Sequence, residues 1–91
     1  MTRSELIDRL AKKFPRKSRQ EVEDVVVEIF SEISKTLQDG DRVELRGFGS
    51  FFVRKREGRT GCDPRSGKAI QVEERHVPLF RAGKLLLERL N

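Results

Sequence analysis

Seven apolar side chains, Val22, Val25, Val26, Ile29, Phe30, Ile33 and Leu37, recur at helical spacing between Ser18 and Gly40. That stripe constrains everything else about the chain. Ser18-Arg19-Gln20-Glu21 has the spacing of a capping box and Gly40 supplies a C-terminal stop. A helix between those signals would span roughly 30 Å at about 1.5 Å per residue. The only helix before it is shorter: Thr2-Arg3-Ser4-Glu5 offers a second capping box, Leu6, Ile7, Leu10, Ala11 and Phe14 follow at helical intervals, and Pro15 ends the run. A short helix cannot cover a long one, so part of the stripe is expected to face another molecule. The chain has 91 residues, 35% of them apolar, and so is at most one domain with little core of its own. One Cys (Cys62) excludes an internal disulfide, and one Cys beside one His (His76) cannot build an ordinary zinc site. Dimerisation is the remaining way to stabilise so small a scaffold.

After Gly40 the hydrophobic period changes from 3.6 to 2. In "DRVELRGFGSFFVRKR", Val43 and Leu45 alternate with Arg42, Glu44 and Arg46, as on a half-buried strand. Gly47 and Gly49 flank Phe48 and predict a turn with access to positive φ, after which a second strand runs through Phe51 and Val53, with Ser50, Phe52, Arg54 and Arg56 on its other face. The apolar pattern stops at Lys55 and returns only near Ile70 and Val72. Between those limits a hairpin has nothing to pack on and is expected to project as a two-stranded arm whose tip is "RTGCDPRSGK". The return strand is read through "AIQVEERHVPLF", with Pro78 suited to an edge, and "RAGKLLLERLN" closes the chain as a short helix. The fold class is therefore α+β: an N-terminal helix pair, a three-stranded antiparallel sheet with a protruding two-stranded β-arm, and a short C-terminal helix. The division is one domain over 1–91, with a helical base over 1–40, the sheet over 41–80 with its arm at about 55–70, and the last helix over 81–91.

Catalytic signals are weak. Gly47-Phe48-Gly49 opens like a dinucleotide fingerprint, but Phe52 stands where a third glycine is needed and no helix follows. Ser50 lacks an elbow of the right spacing, and His76 has no acidic or thiol partner in a motif. No enzyme and no cofactor are expected. Nothing near Met1 resembles a signal peptide, and no apolar run approaches membrane-spanning length, which points to an intracellular protein.

Charge is the stronger signal. Residues 1–40 carry eight Lys/Arg and eight Asp/Glu, whereas residues 41–91 carry twelve against seven and hold the whole net charge of +5. Arg42, Arg46, Arg54, Lys55, Arg56, Arg59, Arg65 and Lys68 stand against only Glu44, Glu57 and Asp63 in the segment between Arg42 and Lys68. A ribbon so charged favours a polyanion and suits a nucleic-acid groove. The bland alternative is a hairpin protected from edge-to-edge aggregation by charge, and for His76, beside the basic Arg75, strand-end packing competes about evenly with phosphate contact. Pro64, with Gly61 and Gly67 free to turn the chain on either side, reads first as a turn proline. An apolar ring at the end of a cationic arm also suits wedging between base pairs.

"VELRGFGSFFVRKREGRTGCDPRSGK" followed by "HVPLFRAGK" resembles the HU and integration host factor family of bacterial nucleoid proteins over essentially all 91 residues. "RSELIDRLA" and "RVELRGFGSF" are most similar to its integration host factor beta subunits. The resemblance implies an obligate intertwined dimer, with an identical chain or an alpha-type partner, that bends double-stranded DNA in the bacterial nucleoid and acts in recombination and in regulating transcription. It implies that Pro64 intercalates, that Arg54, Lys55, Arg56, Arg59, Arg65 and Lys68 line the arm, and that Arg46 enters a minor groove with Glu44 orienting it beside Arg42. Arg3, Ser4, Arg81 and Lys84 would meet phosphates near helix N-termini, with Arg75 a further contact. Val25, Ile29, Phe30, Ile33 and Leu37, with Leu45, Phe48, Phe51 and Phe80, would form the dimer core. Cys62 and Asp63 replace the family's usual basic residue and Asn before the tip proline, which is expected to weaken binding at the tip. A competing reading is a protein-interaction module whose arm is a charged spacer without DNA bending. An RNA-binding variant is weaker, because Phe52 is the only aromatic on the arm's basic side.

Overall fold

The computed structural model describes residues 1–62 and 65–91, with residues 59–60, 62 and 70–72 described by backbone alone. In chain order the elements are α1 (Arg3–Lys13), α2 (Arg19–Gln38), β1 (Val43–Leu45), β2 (Gly49–Arg56), β3 (Arg59–Cys62), β4 (Ala69–Val72), β5 (Arg75–Ala82) and α3 (Lys84–Leu90). They form two compact units, Met1–Lys35 and Thr36–Asn91, with the boundary inside α2. Among the described residues no helix is long and apolar enough to cross a membrane.

In the first unit both capping signals are realised. The Glu5 N–H donates to Thr2 Oγ1 at 3.2 Å. At α2 the box is reciprocal: the Glu21 N–H donates to Ser18 Oγ at 3.1 Å and the Ser18 N–H donates to Glu21 Oε1 at 3.3 Å. The helices are joined by a core of Ile7, Val22 and Val26, flanked by Leu10 and Ala11. Arg19 adds a bond from its Nε to Asp8 Oδ1 at 2.8 Å, and that hydrogen bond, with the attraction of the Asp8 charge, raises the already high Arg19 pKa. So small a core leaves Val25, Ile29 and Phe30 each half exposed or more. With Leu10, Phe14, Val22 and Val26, two of them line an apolar hollow.

The second unit opens with the end of α2. The Asp41 N–H bonds to the Thr36 carbonyl at 3.1 Å and the Gly40 N–H to the Leu37 carbonyl at 3.1 Å, a Schellman motif with Gly40 at φ +82°. A three-stranded antiparallel sheet follows, in the order β1-β2-β5. β1 and β2 are joined by a turn closed by the Phe48 N–H on the Leu45 carbonyl at 2.9 Å, in which Gly47 takes φ +89°. Gly49 serves a different need: it is buried, and a Cβ there would lie 2.5 Å from the Arg81 carbonyl oxygen and from the Phe80 ring. On one face Phe51 and Phe80 stack at 4.8 Å and Phe48 and Phe80 at 5.3 Å between ring centroids. Leu45, Phe48 and Phe80 remain exposed, so this apolar face is uncovered by its own unit.

The arm differs from the sequence expectation in one respect. The three-stranded sheet and the two-stranded arm are both present, but the return strand read as continuous through "AIQVEERHVPLF" is broken, and β3 and β4 form a separate two-stranded sheet. Arg56 pairs with Arg75 and Arg59 with Val72, so the register passes across the break without slipping. The interruption falls at Glu57–Gly58 on one strand and Glu73–Glu74 on the other. The same register would bring Glu57 opposite Glu74, and like charges directly opposite, with a glycine and no apolar neighbours, disfavour a ladder. Gly61 lies within β3, paired with Ile70, and so extends the strand instead of turning the chain. The chain turns instead at Arg65–Ser66, and Gly67 takes φ +69°. The proposed wedge, Pro64, and its neighbour Asp63 lie outside the described residues.

Candidate nucleic-acid interface

Strand parity sorts the charges of the sheet. Pairing of Ser50 with Arg81, Phe52 with Leu79, Arg54 with Val77 and Arg56 with Arg75 puts these eight residues on one face, and Glu44 joins them opposite Ser50. Four arginines thus share a face with a single carboxylate. Arg56 and Arg75 are directly opposed, an arrangement that costs stability in a sheet with no anion to bind. Among the described residues neither these two nor Arg46, Arg54 and Arg81 has a carboxylate within ion-pair distance. The result is a local positive potential at the root of the arm, where β2 and β5 end.

Arg46 sits in the β1–β2 turn beside a shallow hollow lined by Gly47, Gly49, Ser50, Gly83, Glu44 and Leu45. Glu44 does not orient Arg46: its carboxylate accepts a bond from Arg42. The resemblance pointed to Glu44 as a partner for Arg46, but a flanking arginine on the same strand side reaches it first.

The other expected contacts are dispersed. Lys55 lies on the opposite face from Arg54 and Arg56, with its Nζ 3.3 Å from Glu74. Arg3 opens α1 and its Nη2 is 3.9 Å from Glu23, and Ser4 follows it on the same turn. Lys84 opens α3, 4.0 Å from Glu88. Exposed pairs of this kind are worth under about 1 kcal/mol each, so they hold these cations only weakly. In the arm, Arg59 begins β3, Arg65 is exposed at the turn, and the Lys68 N–H donates to Ser66 Oγ at 3.4 Å.

The expected interface residues fall in both units. Val25, Ile29 and Phe30 are exposed on α2, with Ile33 and Leu37 half-buried beyond them. Leu45, Phe48, Phe51 and Phe80 gather on the apolar face of the sheet. Two features escaped the sequence reading. One is the break in the arm, signalled by Gly58 and the paired acids Glu73 and Glu74. The other is a contact between Phe52 and Arg81, whose guanidinium carbon lies 5.8 Å from the ring centroid. Cross-strand register is needed to see it.

A family model described as bacterial DNA-binding protein matches residues 1–91. The chain is similar to integration host factor subunit beta of Dichelobacter nodosus, 50% identical over 91 residues, 100% of this chain and 95% of that protein. Among solved structures it is similar to HU of Anabaena in a cocrystal with DNA, at a TM-score of 0.83 and 33% identity over 99% of this chain and 97% of that one. It is similar also to HU of Thermotoga maritima, at a TM-score of 0.70 and 31% identity over 100% of both chains.

Proposed function

Because the chain belongs to the bacterial DNA-binding protein family, we propose that it is an architectural protein that bends double-stranded DNA in the bacterial nucleoid, paired with a second chain of that family. The observation that carries this is the cluster of Arg54, Arg56 and Arg75 on one sheet face at the root of the arm. Like charges held together without carboxylates are a standing cost that a polyanion relieves. Such a face reads backbone charge and groove shape more than base edges, so specificity would come from how readily the duplex deforms. Arg46, with the arm cations Arg59, Arg65 and Lys68, would extend the track, and Pro64 would enter the base stack as the minor-groove wedges of HU and integration host factor do. Lys55, turned toward Glu74, would contribute through the general field.

The family is one of DNA-binding proteins and not of enzymes, which favours this reading over an interaction module. The uncovered faces of α2 and of the sheet supply what a partner chain needs: exposed aromatic and branched side chains in contiguous patches. Fluorescence transfer between dyes at the two ends of a short duplex tests the bending. The parent protein is expected to bring the ends together at saturation, and Pro64→Ala to bind with less bending. Equal transfer for the two proteins would remove the wedge from the mechanism, and no change for either would remove the bending itself.

A further inference from the structure

Phe52 is an aromatic residue on the face where the sheet has no aromatic core. Phe48, Phe51 and Phe80 cluster with one another, whereas Phe52 pairs with Leu79 on the cationic side. Ser50 pairs with Arg81 one rung away on that side, which makes Phe52 and Arg81 diagonal neighbours. The guanidinium carbon is 5.8 Å from the ring centroid, within the range where a cation is attracted to the ring face. No carboxylate among the described residues pairs with Arg81, and the Phe52 ring lies within cation–π distance of it.

We infer that Phe52 is a positioning residue for DNA binding, holding the Arg81 guanidinium over the sheet in line with Arg54 so that a phosphodiester oxygen meets a cation already in place. The inference rests on the reading of this face as duplex-binding. Its physical basis is that a ring and a phosphate use different parts of a guanidinium. Attraction to the ring face uses the charge of the group and consumes no N–H donor, so the N–H groups stay available to donate. An arginine already drawn toward a ring face has lost part of its rotamer freedom before DNA arrives, which lowers the ordering cost of the complex. Arg81 thereby belongs with Arg54, Arg56 and Arg75 on the sheet, although its place in the chain, three residues before α3, suggested the helix terminus.

The test titrates a fluorescent duplex with the full-length protein at two salt concentrations. Phe52→Leu keeps an apolar side chain of similar bulk and removes the ring face. It is expected to weaken binding about two- to fivefold, and Phe52→Tyr, which keeps the ring, to stay within about twofold of the parent. Arg81→Ala should lower the slope of log affinity against log salt by about one. Adding Phe52→Leu to Arg81→Ala should then change nothing further. If Phe52→Leu has no effect, or costs as much without Arg81 as with it, the inference is overturned. A second readout is independent of affinity: ring current should move the Arg81 Nε–Hε proton resonance of the free parent protein upfield, and its absence also overturns the inference. Failure of the parent to bind duplex would instead refute the DNA reading, and would be seen before any variant is made.

Discussion

Replacing Gly49 by alanine puts a methyl group where two neighbours already sit. The new Cβ would lie 2.5 Å from the Arg81 carbonyl oxygen and 2.5 Å from Phe80 ring carbons. Ordinary contacts between such atoms are about 3.5–4.0 Å, so the overlap is on the order of 1 Å. Phe80 could swing away only by leaving its contacts with Phe48 and Phe51, and the Arg81 carbonyl is backbone in the β2–β5 ladder. Relief therefore requires β2 and β5 to separate at the Gly49–Ala82 pair. Overpacking of this kind costs about 1–3 kcal/mol. For a domain of this size that corresponds to a melting temperature lower by roughly 5–20 °C. Gly40→Ala is the control: nothing lies within 4 Å of its Cβ, and the cost is confined to φ +82°, about 1–2 kcal/mol. Calorimetry at one fixed protein concentration, since an oligomer's melting depends on concentration, should show the Gly49 variant melting below the parent by at least as much as the Gly40 variant does when the overlap costs the upper part of its range. A Gly49→Ala protein melting with the parent would refute the argument that close approach of β2 and β5 requires a glycine here.

Ile29→Asp places a carboxylate in the exposed stripe of α2, and if a second chain covers that stripe, burying the charge should raise the dissociation constant by two decades or more. Sedimentation at micromolar concentration reads the outcome as a shift toward the single-chain mass, and an unchanged assembly would mean that this stripe is not the interface. Glu74→Gln releases Lys55 from its 3.3 Å pair and removes one negative charge from the root of the arm. Duplex binding at low salt should strengthen by up to about fivefold, the worth of one exposed pair, and binding that weakens would show that Glu74 supports the arm instead of opposing it.

The assignments bear on each other through the sheet. β2 carries Phe51 and Val53 on one face and Arg54 and Arg56 on the other, so a single strand links the surface awaiting a partner chain to the surface awaiting DNA. Gly49 allows β5 to approach that strand, and the same approach sets the backbone from which Arg81 reaches the Phe52 ring. Loss of packing at Gly49 should therefore be felt on both faces.

The local features of this fold were legible in the sequence because each depends on a few adjacent residues. Ser18 and Glu21 bound α2 by a reciprocal cap, Gly40 ended it through its positive φ, and the change of apolar period after Gly40 marked where helix gave way to strand. The alternation from Ser50 to Arg56 was enough to separate a cationic from an apolar face, and the excess of charge after residue 40 pointed to a polyanion. Tertiary structure decided what depends on pairing across the chain. Opposition of Arg56 and Arg75, capture of Lys55 by Glu74 and of Glu44 by Arg42, the break at Glu57–Gly58 and Glu73–Glu74, and the Phe52–Arg81 contact all arise from register. Register is set by which strands meet, and no window along a single strand contains it.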